Sequence, residues 1–234
     1  MKSSHPLTND WCTAADCSVC TMRASVLFAG IDPALLGRIQ HSIDEQRMSH
    51  GDVLYRMGDP GRAIFTVREG LVKLTQYLPD GSERIVRLVR STDVTGLEAL
   101  LNQPYQHEAV VEQDSVICRI PVDVVRRLEL DSPQLYRELM RRWQQALAEA
   151  DAWLTELGTG SARQRVARLL LRLTDEPGEG LCCLFSRKDM GAMLGITTES
   201  ASRMVAELKR LGALQEHSDR FHCDRITLEQ IANE

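Results

Sequence analysis

Two hydrophobic rhythms divide the chain. Residues 46–120 carry short apolar stretches of the kind that form strands: Asp52–Tyr55, Ala63–Val67, Val72–Tyr77, Arg84–Val89, Ala109–Glu112 and Ser115–Ile120. Gly51, Gly58-Asp59-Pro60-Gly61, Gly70, Pro79-Asp80-Gly81 and Asp114 separate them at the intervals of a meander or small barrel, which predicts an antiparallel β unit. From Pro133 to Leu157 the rhythm changes. Leu135, Leu139, Met140, Trp143, Leu147, Ala150, Leu154 and Leu157 recur at threes and fours with no interior Gly or Pro, the pattern of an amphipathic helix. Such a helix is about 38 Å long, more than a small barrel needs for cover, so its stripe suits a symmetry mate. A seam of Met140, Leu147, Ala150, Leu154 and Leu157, flanked by Glu149 and Asp151, is expected. Ala150 brings no charge into it, so the dimer is expected to stand without help from a cofactor. Gly158-Thr159-Gly160-Ser161 supplies a helix stop, a hinge and a fresh N-cap.

Ser186-Arg187-Lys188-Asp189 has the form of a capping box and opens a helix through Met190, Met193 and Leu194 to Gly195. After a tight turn at Ile196-Thr197 a second helix runs from Thr198 to about Leu211, burying Ala201, Met204, Val205 and Leu208. Small Gly191 and Gly195 let the two helices approach, the spacing of a helix-turn-helix. The exposed start of the second helix holds Thr198, Glu199, Ser202 and Arg203. Arg203 suits guanine, Glu199 the cytosine amino group, and Ser202 a contact beside thymine. The bland alternative is a Glu199–Arg203 ion pair on a solvated face. Leu214–His217 and Phe221–Ile226, around Ser218-Asp219-Arg220, read as a β-hairpin wing and favour DNA.

Charge qualifies that picture. The chain of 234 residues has a net charge of −5, yet residues 159–234 hold 11 Lys and Arg against 11 Asp and Glu, so the negative balance lies in the first part. Seven cysteines, an odd number, with neither an export signal nor an apolar run long enough to span a membrane, argue for reduced thiols and a cytoplasmic protein. Cys12, Cys17 and Cys20 place three thiolates within nine residues, close enough to wrap one soft metal centre.

The order of elements, with Leu194-Gly195-Ile196-Thr197-Thr198-Glu199-Ser200-Ala201-Ser202-Arg203 as the most specific stretch, resembles the Crp/Fnr family of bacterial regulators over nearly the whole chain. The resemblance implies an α+β protein. It would have a cysteine-rich segment at residues 1–24, a cyclic-nucleotide-binding-like β-roll at 25–130, a dimerisation helix at 131–158 and a winged helix-turn-helix at 159–234. It also implies a homodimer on a palindromic double-stranded DNA operator, with RNA polymerase as a further partner. Members with the Glu-x-x-Ser-Arg pattern, here Glu199 to Arg203, prefer TTGAT-type half-sites.

In the Fnr-like branch a cysteine before an Ile-Pro pair completes the ligand set, and Cys118 stands before Ile120-Pro121. Four cysteines suit an iron–sulfur cluster and, on chemistry alone, tetrahedral zinc equally well. The resemblance favours a [4Fe-4S] cluster on Cys12, Cys17, Cys20 and Cys118 that senses oxygen, nitric oxide or redox state. One departure is plain: the third cysteine expected six residues after Cys20 is Val26, so Cys12 must serve from upstream. Where the cyclic-AMP-type members bind ribose and cyclic phosphate, this chain has Leu97, His107 and Glu108, so no cyclic nucleotide is expected. Cys182, Cys183 and Cys223 are expected to pack near the wing, although Cys182-Cys183 is also a candidate redox pair.

Haem, zinc or thiol-based regulators remain alternatives. The Cys-x4-Cys-x2-Cys run also lies one residue from the loop of radical S-adenosylmethionine enzymes, whose alternating strand–helix barrel the later pattern does not resemble. No catalytic constellation is evident, so an enzyme is not expected.

Overall fold

The computed structural model describes residues 13–14, 32, 42–129, 132–174, 181–183, 185–217 and 220–234. The chain separates into two compact units, Met1–Thr75 with Arg87–Gln145 and Gln76–Val86 with Ala146–Glu234.

Among the described residues, seven strands build one antiparallel sheet: β1 (Thr13–Ala14), β2 (Asp44–Met48), β3 (Val53–Tyr55), β4 (Ala63–Tyr77), β5 (Glu83–Val89), β6 (Val94–Thr95) and β7 (Glu108–Pro121). The spatial order is β1-β2-β7-β4-β5, with β3 on β7 and β6 on β4. The sequence pattern breaks β4 and β7 into two strands each, whereas each is one long bent strand. Register shifts between Val67 and Val72 do the bending, and Gly70 sits among them at φ +90°. Any side chain at Gly70 would overlap the Asp114 carbonyl and Ser115.

Strand β7 leads into helix α1 (Val122–Glu129), and helix α2 (Pro133–Ala152) follows. Leu135 and Leu139 enter the same core as Ile43, Ile64, Ile120 and Val125. One turn on, the buried Arg142 donates to the Thr92 carbonyl at 2.7 Å and to Glu138 at 2.7 Å. The single stripe expected from sequence is thus two stripes. Leu135, Leu139 and Arg142 face their own chain, while Tyr136, Met140, Trp143, Leu147 and Leu154 are exposed. The helix ends in a π turn, Trp153–Leu157.

Past that turn come α3 (Ala162–Leu173), β8 (Leu181–Cys183), α4 (Arg187–Leu194), α5 (Thr198–Arg210), β9 (Leu214–His217), β10 (Arg220–Cys223) and α6 (Arg225–Ala232). Ser161 opens α3 with a full capping box: it accepts from the Gln164 N–H, and Gln164 accepts from the Ser161 N–H at 2.7 Å. The wing is a three-stranded sheet ordered β8-β10-β9, so Cys182 and Cys183 lie on its third strand, and Cys223, the last residue of the central strand, is buried. The expected second wing strand is shorter than Phe221–Ile226. It stops at Cys223 because Asp224 caps α6, accepting from the Ile226 N–H and the Thr227 hydroxyl. Segment 158–161, expected as a hinge between domains, lies inside the second compact unit.

Candidate functional site

The helix-turn-helix is set by local chemistry. The Ser186 hydroxyl accepts from the Asp189 N–H at 2.9 Å to start α4, and Gly195 stops it at φ +64°. A Cβ on Gly191 would meet the Ile196 carbonyl at 2.7 Å, so the turn folds back closely enough to require that glycine. Thr197 caps α5 by accepting from the Ser200 N–H at 3.1 Å. Arg165 of α3 donates to the Leu194 carbonyl at 2.8 Å, holding the end of α4. On the wing, the Arg187 guanidinium lies 5.3 Å from the Phe221 ring centroid.

Thr198, Glu199, Ser202 and Arg203 are all exposed on the first turns of α5, while Ala201, Val205 and Leu208 are buried on the other side. Its own N–H, the Thr197 hydroxyl and the Arg203 guanidinium hold the Glu199 carboxyl below the ordinary glutamate range. Arg203 donates to the Ser200 hydroxyl at 3.2 Å. A charged acceptor and a charged fork donor therefore stand on one solvent-facing turn, the combination that reads base edges in a major groove.

Of the four cysteines expected as ligands, Cys118 is described and Cys12, Cys17 and Cys20 lie outside the described residues. Cys118 is half-buried on β7 and packs against the core that receives Leu135 and Leu139. Its register is informative. Cys118 pairs with Glu45 on β2, and Glu45 pairs with Thr13 on β1, so the residue following Cys12 stands two strands away, about 10 Å across the sheet. On the other side Cys118 pairs with Thr66, a buried residue whose hydroxyl has no hydrogen-bond partner among the described residues. Glu45 is ion-paired with Arg68. Sequence reasoning missed Glu45 and Thr66. Strand β2, Asp-Glu-Gln-Arg-Met, has almost no apolar alternation, and Thr66 sits inside an apolar run with nothing to mark it.

At the roll positions that match the nucleotide-binding pattern, Leu97 is buried in the core and Glu108 faces Arg56 at 3.7 Å. Burial, with the Arg87 guanidinium adding to it, pushes the His107 imidazole below its usual pKa. Tyr55 stacks on Tyr105 at 4.1 Å and on Phe65 at 5.5 Å, and its hydroxyl bonds Thr95 at 2.5 Å. Sequence pattern offers no sign of this aromatic cluster.

The expected dimer seam is altered at one end. Met140, Leu147, Ala150 and Leu154 are exposed or half-exposed, whereas Leu157 is only 1% exposed within its own chain and is not available to a partner. Tyr136 and Trp143 extend the exposed row at the same spacing.

Residues 45–131 match the cyclic nucleotide-binding domain and residues 164–231 the Crp-like helix-turn-helix domain, together more than half of the chain. The chain is 24% identical to an anaerobic regulatory protein of Pasteurella multocida, over 86% of this chain and 76% of that protein. It is 26% identical to the transcriptional activator protein anr of Pseudomonas aeruginosa over 79% of each. It is 28% identical to the nitrogen fixation regulation protein FixK of Bradyrhizobium diazoefficiens over 85% of each. The solved structure of FixK2 from Bradyrhizobium japonicum superposes with a TM-score of 0.73 at 24% identity, covering 81% of this chain and 96% of that one. A CRP-family transcriptional regulator from Thermus thermophilus gives 0.72 at 24% identity, covering 81% and 97%. With a cyclic-nucleotide-binding-type roll followed by a Crp-like helix-turn-helix, and regulators as its relatives, the chain belongs to the Crp/Fnr family of DNA-binding transcriptional regulators.

Proposed function

We propose that this regulator senses oxygen or a related redox signal through a [4Fe-4S] cluster on Cys12, Cys17, Cys20 and Cys118, and that its homodimer reads a palindrome of TTGAT-type half-sites. The observation that carries the reading is the strand register. Thr13, which follows Cys12 in the sequence, pairs with Glu45, and Glu45 pairs with Cys118, so Thr13, Glu45 and Cys118 form one row across the sheet. Four thiolates suit such a group, and what supports Cys118 as one of them is that it is half-buried rather than sealed in the core, with the Thr66 hydroxyl on the paired strand lacking a partner among the described residues. The relatives described as anaerobic regulators support the same reading.

Bound there, the cluster would supply an oxygen-labile centre. The chain's own part is mechanical. Cys118 packs on the core that holds Leu135 and Leu139, so a change in how Cys118 is held bears on the helix whose other face carries Met140, Trp143, Leu147 and Leu154. Thr198, Glu199, Ser202 and Arg203 then read the operator, and RNA polymerase is the further partner of the bound dimer. The roll takes no cyclic nucleotide in this reading. A carboxylate at Glu108 repels a cyclic phosphate, and buried Leu97 offers the ribose no hydrogen bond.

The test is metal and sulfide analysis of anaerobically prepared protein alongside Cys118→Ser. The native chain is expected to hold about four irons and four sulfides, and the variant to lose them. A full complement in Cys118→Ser overturns the ligand assignment, and zinc in the native chain overturns the cluster.

A further inference from the structure

One arginine gathers main-chain carbonyls from three separate places. From the middle of α3, Arg168 donates through Nη1 to the Glu156 carbonyl at 3.1 Å and the Thr159 carbonyl at 3.0 Å. Through Nε and Nη2 it donates to the Ala232 carbonyl at 3.1 and 2.8 Å. Glu156 belongs to the π turn that ends the long helix, Thr159 to the following link, and Ala232 to the end of α6. The last carbonyls of any helix lack intrahelical donors and carry the negative end of its dipole. One guanidinium, always charged and with five donors in a fixed fork, satisfies both helix ends at once.

The surroundings favour this arrangement. Gly160, at φ +85°, leaves room beside the guanidinium, since a Cβ there would come within 3.4 Å of Arg168 Nη1 and 2.7 Å of Gln164 Oε1. The Thr159 hydroxyl donates back to the Thr155 carbonyl at 2.6 Å. One turn further along α3, Arg172 pairs with the Glu156 carboxylate at 2.7 Å and lies 6.0 Å from the Trp153 ring centroid.

We infer that Arg168 is a positioning residue for operator recognition. It clamps the end of the long helix and segment 158–161 to α3 and α6, so that α5 follows the helix end as one body instead of swinging freely about the glycines. The inference needs no cluster and stands apart from the sensing proposal.

The test uses the full chain with Arg168→Ala, Arg168→Lys and, as control, Arg172→Ala. Amide hydrogen exchange is followed at residues 156–161 and 229–233, and affinity is measured on specific and random DNA. Arg168→Ala is expected to speed exchange in both segments and to weaken specific binding by about tenfold, within the usual range for coupled sites, with random DNA unchanged. Lysine, a single point donor, rescues only in part, and Arg172→Ala leaves both readouts near native. Faster exchange in only one of the two segments, or native operator affinity in Arg168→Ala, overturns the inference. If the alanine variant does not fold, Arg168→Lys is judged by the same two readouts.

Discussion

A base contact and a phosphate contact at Arg203 differ in what a substitution does. If its guanidinium forks onto guanine, Arg203→Ala costs about 1 to 3 kcal/mol on the specific site and relaxes the choice of base at one position per half-site. Competition assays on operator variants measure this, and equal losses on specific and random DNA make Arg203 a phosphate contact. His107 carries a second prediction. Its native pKa is depressed by burial and Arg87, so below pH about 6.5 the unfolded chain takes up a proton that the native chain resists. That part of the stability is present above the unfolded pKa and declines as pH falls through it. Urea midpoints at pH 7.5 and 5.5 should therefore separate more in the native chain than in His107→Gln; equal separations contradict the assignment.

Elements show which signals a sequence can carry. The helix-turn-helix was legible because its devices are local: the Ser186 and Thr197 caps, the Gly195 stop and the small Gly191 are all within a few residues of what they control. Strand β2 was not, because a strand of Asp, Glu, Gln and Arg takes its place from pairing with β7, not from its own pattern. The candidate cysteine site suffered accordingly, since Cys118 could be named by resemblance but its neighbours Glu45 and Thr66 are brought to it only by the sheet. On the long helix, periodicity cannot say which of two apolar stripes faces home. Burial assigns Leu135 and Leu139 to the chain itself and leaves Leu147 at 61% and Leu154 at 72% exposure. Burying a leucine is worth about 1.5 to 3 kcal/mol, and symmetry counts each twice. Leu147→Glu is thus expected to shift a dimer to monomer at micromolar concentration in sedimentation, with its helix content retained. An unchanged dimer places the seam elsewhere.

Across the whole molecule, the cysteines proposed as cluster ligands and helix α5 lie in different stretches of the sequence, with the long helix between them along the chain. One end of it is anchored by Leu135, Leu139 and Arg142 beside the Cys118 core, and the other is clamped by Arg168. The most direct test follows iron content, visible absorption and specific DNA affinity in one anaerobic sample as air is admitted in steps. The account predicts a brown protein that binds the palindrome tightly and loses iron, absorption and specific binding together. Specific binding that survives complete loss of the iron, or a protein that binds its operator without ever holding iron, contradicts it.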